Sequence, residues 1–215
     1  MTLQLLDELP PAQRLALAYA PASARDPLLA VLALDARLAV IVRRRHEIVL
    51  AQMRIAWWRD MLAGPRMLWP RGDPVLGMLR EWRDPAPVAA LADGWELLLD
   101  EILGPAAIDG FAQGRERALA AAAHELGLAV DDDVALAARY WALADLAANL
   151  SDPAEREEVV ALSQTLPPPP RLPRALRPLA VLAGLGARSL RQGGAPLLSG
   201  STGALCALRL GLFGR

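Results

Sequence analysis

Carboxylates at helical spacing are the first residues in this chain to consider for metal chemistry. Asp145 and Asp152 lie seven residues apart, as do Asp93 and Asp100, and a Mg²⁺ ion bound to a diphosphate needs two or more aspartates on one helix face. One aspartate every two turns is common on a protein surface, and neither pair forms a DDxxD motif. The pairs are therefore interpreted as ordinary surface residues, and no metal ligand or catalytic residue is predicted.

The densest positive cluster is RRRHE at residues 43–47. Arg43, Arg44 and Arg45 could bind a phosphate or an anionic lipid head group through charge-assisted hydrogen bonds. The same residues would end a long helix, where the helix dipole also favours cations. The helix-end interpretation is favoured, and the three arginines are kept as candidates for an anion site.

Two adjacent tryptophans occur in MRIAWWRD at residues 53–60. Positions 50, 53, 57 and 61 form one apolar row and positions 55, 58 and 62 form a second, so a helix buried on two sides is predicted. Arg54 and Asp60 fall outside both rows and are expected to pair with polar groups elsewhere. Trp57 and Trp58 are interpreted as core residues first and as the wall of a ligand site second.

Composition excludes several classes of protein. All 23 basic residues are arginine and the formal net charge is −1, so no overall field attracts nucleic acid. A single cysteine, Cys206, excludes an internal disulfide, and two histidines are too few for a histidine metal centre. The N-terminus does not resemble a signal peptide, and no apolar run is long enough to span a bilayer. A soluble, cytoplasmic protein without a cofactor is expected.

Glycine and proline divide the chain into helical lengths, between which apolar residues recur at intervals of three and four. An all-α fold is predicted. The predicted helices cover residues 11–20, 26–45, 47–63, 74–83, 86–103, 105–127, 132–150, 153–164, 174–192 and 202–213.

Helix starts are predicted where aspartate precedes proline, at Asp26, Asp73 and Asp152. The aspartates at 131–133 are interpreted as capping the helix that follows them. The whole chain, 1–215, is predicted to be one domain, with a stiff Pro-rich connector at 167–173 and a C-terminal tail segment at 193–215.

Three stretches together resemble the squalene/phytoene synthase family. They are LLAVLALDARLAVIV (28–42), EIVLAQMRIAWWRDML (47–62) and ARYWALADLAANL (138–150). The middle stretch is similar to the non-classical bacterial branch of that family, which is related to mitochondrial proteins implicated in complex I assembly. In that branch a glutamate and a short apolar stretch precede an RLxWWRD motif. Glu47 matches the glutamate, and the motif matches Arg54, Trp57, Trp58, Arg59 and Asp60.

The resemblance implies an isoprenoid-synthase-like multi-helix bundle around an apolar cavity, here shortened at the C-terminal side. In active members, Mg²⁺ ions on two aspartate-rich helices hold two prenyl diphosphates, which are joined head to head. The first motif falls here on Ala39, Val40, Arg43 and Arg44, and the second on Asp145, Ala148, Asn149 and about Asp152. Most of these residues cannot bind Mg²⁺.

Three hypotheses follow from this pattern. The first is a non-catalytic binding or assembly factor of this fold, with an isoprenoid or other lipid in its cavity or a membrane-associated complex as its partner, located in the cytoplasm or peripherally at the inner membrane. The second is an active prenyl transferase, using Mg²⁺ with unconventional ligands, in which arginines at a cavity mouth bind diphosphate. The third is an unrelated helical interaction protein. Candidate binding residues are Arg43, Arg44, Arg45, Arg54, Trp57, Trp58, Asp60, Trp141 and Asp145.

Overall fold

A computed structural model describes residues 2–43, 48–100, 103–129 and 132–214. Over these ranges the protein is all-helical and contains no β-strand, which confirms the predicted all-α class. The α-helices are α1 (Thr2–Glu8), α2 (Pro11–Leu17), α3 (Ala22–Arg43), α4 (Ile48–Ala63), α5 (Pro74–Leu79), α6 (Ala90–Glu96), α7 (Pro105–Glu125), α8 (Asp132–Asn149), α9 (Pro153–Ser163), α10 (Arg177–Arg191) and α11 (Gly200–Phe213).

Most predicted helices appear within a few residues of their expected ends, but three regions differ from the prediction. The α3 helix begins at Ala22 rather than after Asp26, with Pro27 inside it, because the buried Ala24 continues the helical turn from Pro21. The predicted helix over 86–103 is α6 flanked by short 3₁₀ segments. The short α1 helix was not predicted, and Leu5 anchors it in the core.

Two of the three predicted aspartate caps are confirmed. The Asp73 carboxylate accepts hydrogen bonds from the backbone N–H groups of Val75 at 2.9 Å and Leu76 at 3.0 Å. Asp152 accepts one from Ala154 at 2.8 Å. Each cap is followed by proline at the first helical position, which lacks the N–H that would otherwise need a partner.

Replacing Asp73 by alanine is expected to lower the free energy of unfolding by about 1–2 kcal/mol. The substitution removes the cap of α5 and also the ion pair between Asp73 Oδ2 and Arg37 Nη1, which are 2.7 Å apart. Urea denaturation would measure the change. Asp73→Asn is the control, because asparagine caps as well as aspartate but carries no charge. An asparagine variant as unstable as the alanine variant would contradict the capping role.

Helix α8 occupies the centre of the molecule and packs against α7, α9 and α10. Its Trp141 is completely buried. Helix α7 in turn packs on α6, where Gly94 and Gly114 bring the backbones together: a Cβ on Gly114 would lie 2.5 Å from the carbonyl oxygen of Ala90. This close packing fixes the positions of the side chains that α6, α7 and α8 direct towards one another.

The proline run at 167–170 has no helical structure and joins α9 to the segment before α10. The Tyr140 hydroxyl donates a hydrogen bond of 2.7 Å to the carbonyl oxygen of Pro167, which attaches this connector to α8. Among the helices of the described residues, none combines the length and apolar character that crossing a bilayer requires.

Candidate functional site: a cavity beside a buried arginine

A cavity of about 280 Å³ opens between the end of α3, the α6 region, α7, the end of α8 and the start of α9. Its apolar surface comes from side chains on four of these elements. Its polar surface lies mainly where α8 ends and α9 begins. The apolar residues are Val42, Trp95, Leu98, Phe111, Leu146 and Leu150, and the polar ones are Arg43, Asp145, Asn149, Ser151 and Glu155.

One wall of this cavity is backed by a buried ion cluster of Asp35, Arg115 and Asp145. Arg115 donates through Nε and Nη2 to the two carboxylate oxygens of Asp35, both at 2.8 Å. The same Nη2 donates to Asp145 Oδ2 at 2.7 Å. The Arg115 and Asp35 side chains are each 1% exposed, and that of Asp145 is 17% exposed. The cluster therefore joins α3, α7 and α8 in the interior, and only Asp145 reaches the cavity.

Aromatic rings surround the Arg115 guanidinium. Its carbon lies 4.0 Å from the ring centre of Trp141, 4.6 Å from that of Phe111 and 5.4 Å from that of Trp95, within the range of cation–π attraction. Trp95 also donates from Nε1 to Asp35 Oδ1 at 2.9 Å. Because Trp95 and Phe111 line the cavity as well, the rings that hold the arginine also form the apolar surface available to a ligand.

Two buried nitrogens in this cluster, Arg115 Nη1 and Trp141 Nε1, have no hydrogen-bond partner among the described residues. Burial raises the pKa of the Asp35 carboxyl, although the charge of Arg115 opposes that rise. Burial lowers the pKa of Arg115, but Asp35 and Asp145 outweigh it and raise that pKa above its ordinary value. Arg115 therefore remains a cation in the interior of the protein.

The structure brings some of the predicted site residues together at this cavity. Arg43 and Asp145 both line it, and Trp141 stacks on Arg115 directly behind it. Arg44 and Arg45 lie outside the described residues. Asp145 is not the ordinary surface residue that its spacing from Asp152 suggested, because a buried arginine binds one of its carboxylate oxygens.

The predicted residues of α4 lie away from the cavity. Trp58 is buried, with 6% of its surface exposed, whereas Trp57 is 39% exposed, and their rings meet edge to face at 5.0 Å. The prediction that α4 is buried on two sides is wrong: the row with Ile55 and Trp58 is buried, but the row with Met53 and Trp57 faces outwards. Hydrophobic periodicity shows which residues are apolar, but it does not show which apolar row has a neighbour.

Arg54 and Asp60 of α4 are both exposed. The ion pairs of this helix are formed instead by Arg59, which contacts Asp93 at 2.6 Å and also Glu96. These pairs attach α4 to α6 from the outside. Since Asp93 is 57% exposed in its side chain, its role agrees with the surface interpretation of the Asp93 and Asp100 pair.

Sequence reasoning missed Asp35 and Arg115. Asp35 interrupts the apolar run at 28–42, and a lone carboxylate in such a run is a signal, because a buried charge requires a partner. Nothing in the sequence around Arg115 distinguishes it from the other arginines. Its partner lies 80 residues away, a distance that short motifs cannot cover.

The residues at the two motif positions do not fit a Mg²⁺ site of the kind that the resemblance implies. Arg43 brings a positive charge to the cavity, and the Asp145 carboxylate is already bound by Arg115. Within the described ranges, no group of three or more histidine, cysteine, aspartate or glutamate side chains is arranged to hold a metal ion. Compared with protein-family models, with characterised proteins and with solved structures, the chain matches none.

Proposed function

We propose that this chain is a squalene/phytoene synthase-like protein that does not carry out Mg²⁺-dependent prenyl transfer and acts as a non-catalytic binding or assembly factor. The observation that carries the proposal is the cavity itself. The segments that the resemblance aligns with the two aspartate-rich helices meet there, and they contribute Arg43 and an Asp145 already paired with Arg115. This arrangement supports a cavity that binds a ligand without the two sets of aspartates that prenyl transfer requires.

The chemistry of the lining supports one amphiphilic ligand. Trp95, Phe111 and the neighbouring aliphatic residues suit an apolar group. Arg43 and Asn149 suit a polar end, which the carboxylates of Asp145 and Glu155 also face. At about 280 Å³ the cavity is slightly smaller than the roughly 300–1,000 Å³ that small-molecule sites occupy. It suits one small ligand, or the end of a longer isoprenoid or lipid, better than two prenyl diphosphates.

The partners and location belong to the same proposal. A cavity with this lining would serve a protein that carries a lipid to a membrane-associated complex or senses it there, from the cytoplasm or peripherally at the inner membrane. Neither nucleic acid nor a metal cofactor is part of this function.

Copurified ligand provides the first test. We expect lipid extraction and mass spectrometry of the purified protein to detect one isoprenoid or other lipid, and Arg43→Glu or Asn149→Trp to reduce its occupancy about tenfold by reversing the charge or filling the opening. Arg25→Glu is the matched control, since Arg25 is exposed on the same helix, 18 residues away. Wild-type protein without any bound lipid, and without affinity for farnesyl diphosphate, would contradict the proposal.

A second candidate function is an active prenyl transferase with unconventional ligands. That function requires an arginine at the cavity mouth, and Arg43 lines the cavity. Incubation with farnesyl and geranylgeranyl diphosphates and Mg²⁺ separates the two. A binding protein releases no diphosphate. Release at enzymatic rates that Arg43→Gln abolishes would establish the transferase instead.

A further inference from the structure

The charged side chains that line the cavity are two carboxylates and one arginine. The carboxylates are Asp145, near the end of α8, and Glu155, in the first turn of α9, and the arginine is Arg43, at the end of α3. An ionised carboxylate only accepts hydrogen bonds, whereas arginine only donates them. A ligand whose polar end only accepts hydrogen bonds could therefore bind Arg43 but would leave both carboxylates without a donor.

Asp145 has one carboxylate oxygen that a ligand in the cavity can use. Its Oδ2 accepts a hydrogen bond of 2.7 Å from Arg115 Nη2. Its Oδ1 accepts from Asn149 Nδ2 at 3.5 Å, which is at the outer limit of a hydrogen bond, and the same Nδ2 donates to the Asp145 carbonyl oxygen at 2.8 Å. Because the Asp145 side chain is 17% exposed and lines the cavity, Oδ1 can accept a stronger hydrogen bond from a ligand.

The buried cation behind the cavity does not make its polar end positive. Arg115 is shared between Asp35 and Asp145, so the buried ion cluster has a formal charge of −1. In the lining, the charges of Arg43 and Glu155 have opposite signs. The two arginines and three carboxylates around the cavity therefore leave an excess of negative charge.

Two further sources of positive potential near the cavity are already bound within the protein. Arg156 is not a lining residue, and it donates to the backbone carbonyl oxygens of Ala147 at 3.2 Å and Leu150 at 2.5 Å. The start of α9, whose dipole attracts anions, is capped by Asp152, which accepts from the Ala154 N–H at 2.8 Å. Even with Arg156 counted, the described residues around the cavity provide no excess of positive charge for an anion.

We propose that the cavity binds an isoprenoid or other lipid whose polar end is a hydroxyl group, and that it discriminates against the corresponding diphosphate. A hydroxyl can donate to Asp145 Oδ1 or to Glu155 while it accepts from Arg43. The apolar chain contacts Trp95 and Phe111. A diphosphate has no donor for the two carboxylates, and it brings like charge close to them.

This inference rests on the proposed function, because it specifies the polar end of the ligand in the same cavity. A site that discriminates in this way uses repulsion as well as attraction. The two carboxylates repel a diphosphate, and Arg43 repels a ligand that ends in an ammonium group. The uncharged hydroxyl is the polar end that none of these three side chains repels.

Geraniol, geranylamine and geranyl diphosphate provide the test, because they share one apolar chain and differ in the charge of the polar end. Isothermal titration calorimetry of the wild-type protein should give geraniol a Kd about tenfold lower than that of geranyl diphosphate, and lower than that of geranylamine. Glu155→Arg should strengthen binding of geranyl diphosphate about tenfold and change binding of geraniol less than about threefold. Glu155→Gln, which removes only the charge, should strengthen diphosphate binding about threefold.

Glu157→Arg is the matched control, because Glu157 is exposed on α9, does not line the cavity and contributes the same change in net charge. An equal gain in diphosphate binding by this control would overturn the inference, since overall charge would then explain the effect. Wild-type protein that binds geranyl diphosphate or geranylamine more tightly than geraniol would also overturn it, and the proposed function would stand. Protein that binds none of the three ligands would contradict both. Circular dichroism of each variant verifies that α9 is intact.

Discussion

Replacing Arg115 by methionine is expected to lower the free energy of unfolding by about 3–5 kcal/mol. Methionine retains much of the length of the side chain but removes the cation, so the carboxylate of Asp35 is left in the core with only the Trp95 N–H as a donor. An uncompensated buried charge costs several kcal/mol. Chemical denaturation followed by far-ultraviolet circular dichroism measures the change.

Arg139→Met is the matched control for that experiment. Arg139 also pairs with two carboxylates, Asp109 and Glu116, at 2.7 Å each, but its side chain is 26% exposed. Water reaches this pair, so the loss should be at most about 1 kcal/mol. Similar losses in the two variants would contradict the view that burial makes the Arg115 cluster costly to break.

A double variant, Asp35→Leu with Arg115→Met, distinguishes two causes of the lost stability. One is the unpaired charge left on Asp35, and the other is the loss of packing around Arg115. Removing both charges leaves no buried ion unpaired at Asp35, so the double variant should be more stable than Arg115→Met alone, as is common when apolar residues replace buried ion pairs. A double variant less stable than either single one would show that the pair itself, rather than the avoidance of an unpaired charge, supplies the stability.

Gly186→Ala is expected to destabilise the protein by about 2–3 kcal/mol. The new Cβ would lie 2.6 Å from the carbonyl oxygen and 3.0 Å from the carbonyl carbon of Tyr140. These are backbone atoms in the middle of α8, so relief requires α8 and α10 to separate. Because the contact between these helices holds much of the core, thermal unfolding should show a clear decrease in Tm.

Gly77→Ala provides the comparison for the glycine experiment. Gly77 is also helical, but a Cβ added there meets nothing within 4 Å. Alanine in an open helical position stabilises by about 0.5–1 kcal/mol, because glycine loses more backbone entropy on folding. If both substitutions moved stability in the same direction, helix propensity rather than close packing would determine the effect at Gly186.

The helices could be predicted from the sequence because their signals are local. Proline at a first helical position and aspartate before it fix the starts of α5 and α9, and apolar intervals of three and four identify the long helices. The start of α3 was misplaced because Asp26 and Pro27 imitate the same signal inside a helix. Local sequence signals therefore predict the helices well, and they fail where a contact in the core determines where a helix begins.

The site was predicted only in part, because its geometry depends on distant contacts. Arg43 was identified from the arginine cluster at 43–45, Asp145 was first considered for its spacing from Asp152, and the resemblance, which itself stays a prediction, placed both at motif positions; they do line one cavity. Arg115 could not be identified, since its importance comes from helices that enter the sequence tens of residues before and after it. The two tryptophans of α4 show the same dependence on distant contacts. They are adjacent in sequence, but Trp58 is buried and Trp57 is exposed.

The spacing of the buried ion cluster along the chain also has a consequence for how the protein is made. Asp35 precedes Arg115 by 80 residues, and Asp145 follows Arg115 by 30. At roughly 5–20 residues per second of synthesis, Arg115 is added about 4–16 s after Asp35, the α3 carboxylate that it binds. The ring of Trp141, which covers the arginine, arrives with Asp145 on α8. Until α8 emerges from the ribosome, Asp35 on α3 and Arg115 on α7 cannot be fully buried. We therefore expect both charged side chains to stay hydrated in the nascent chain.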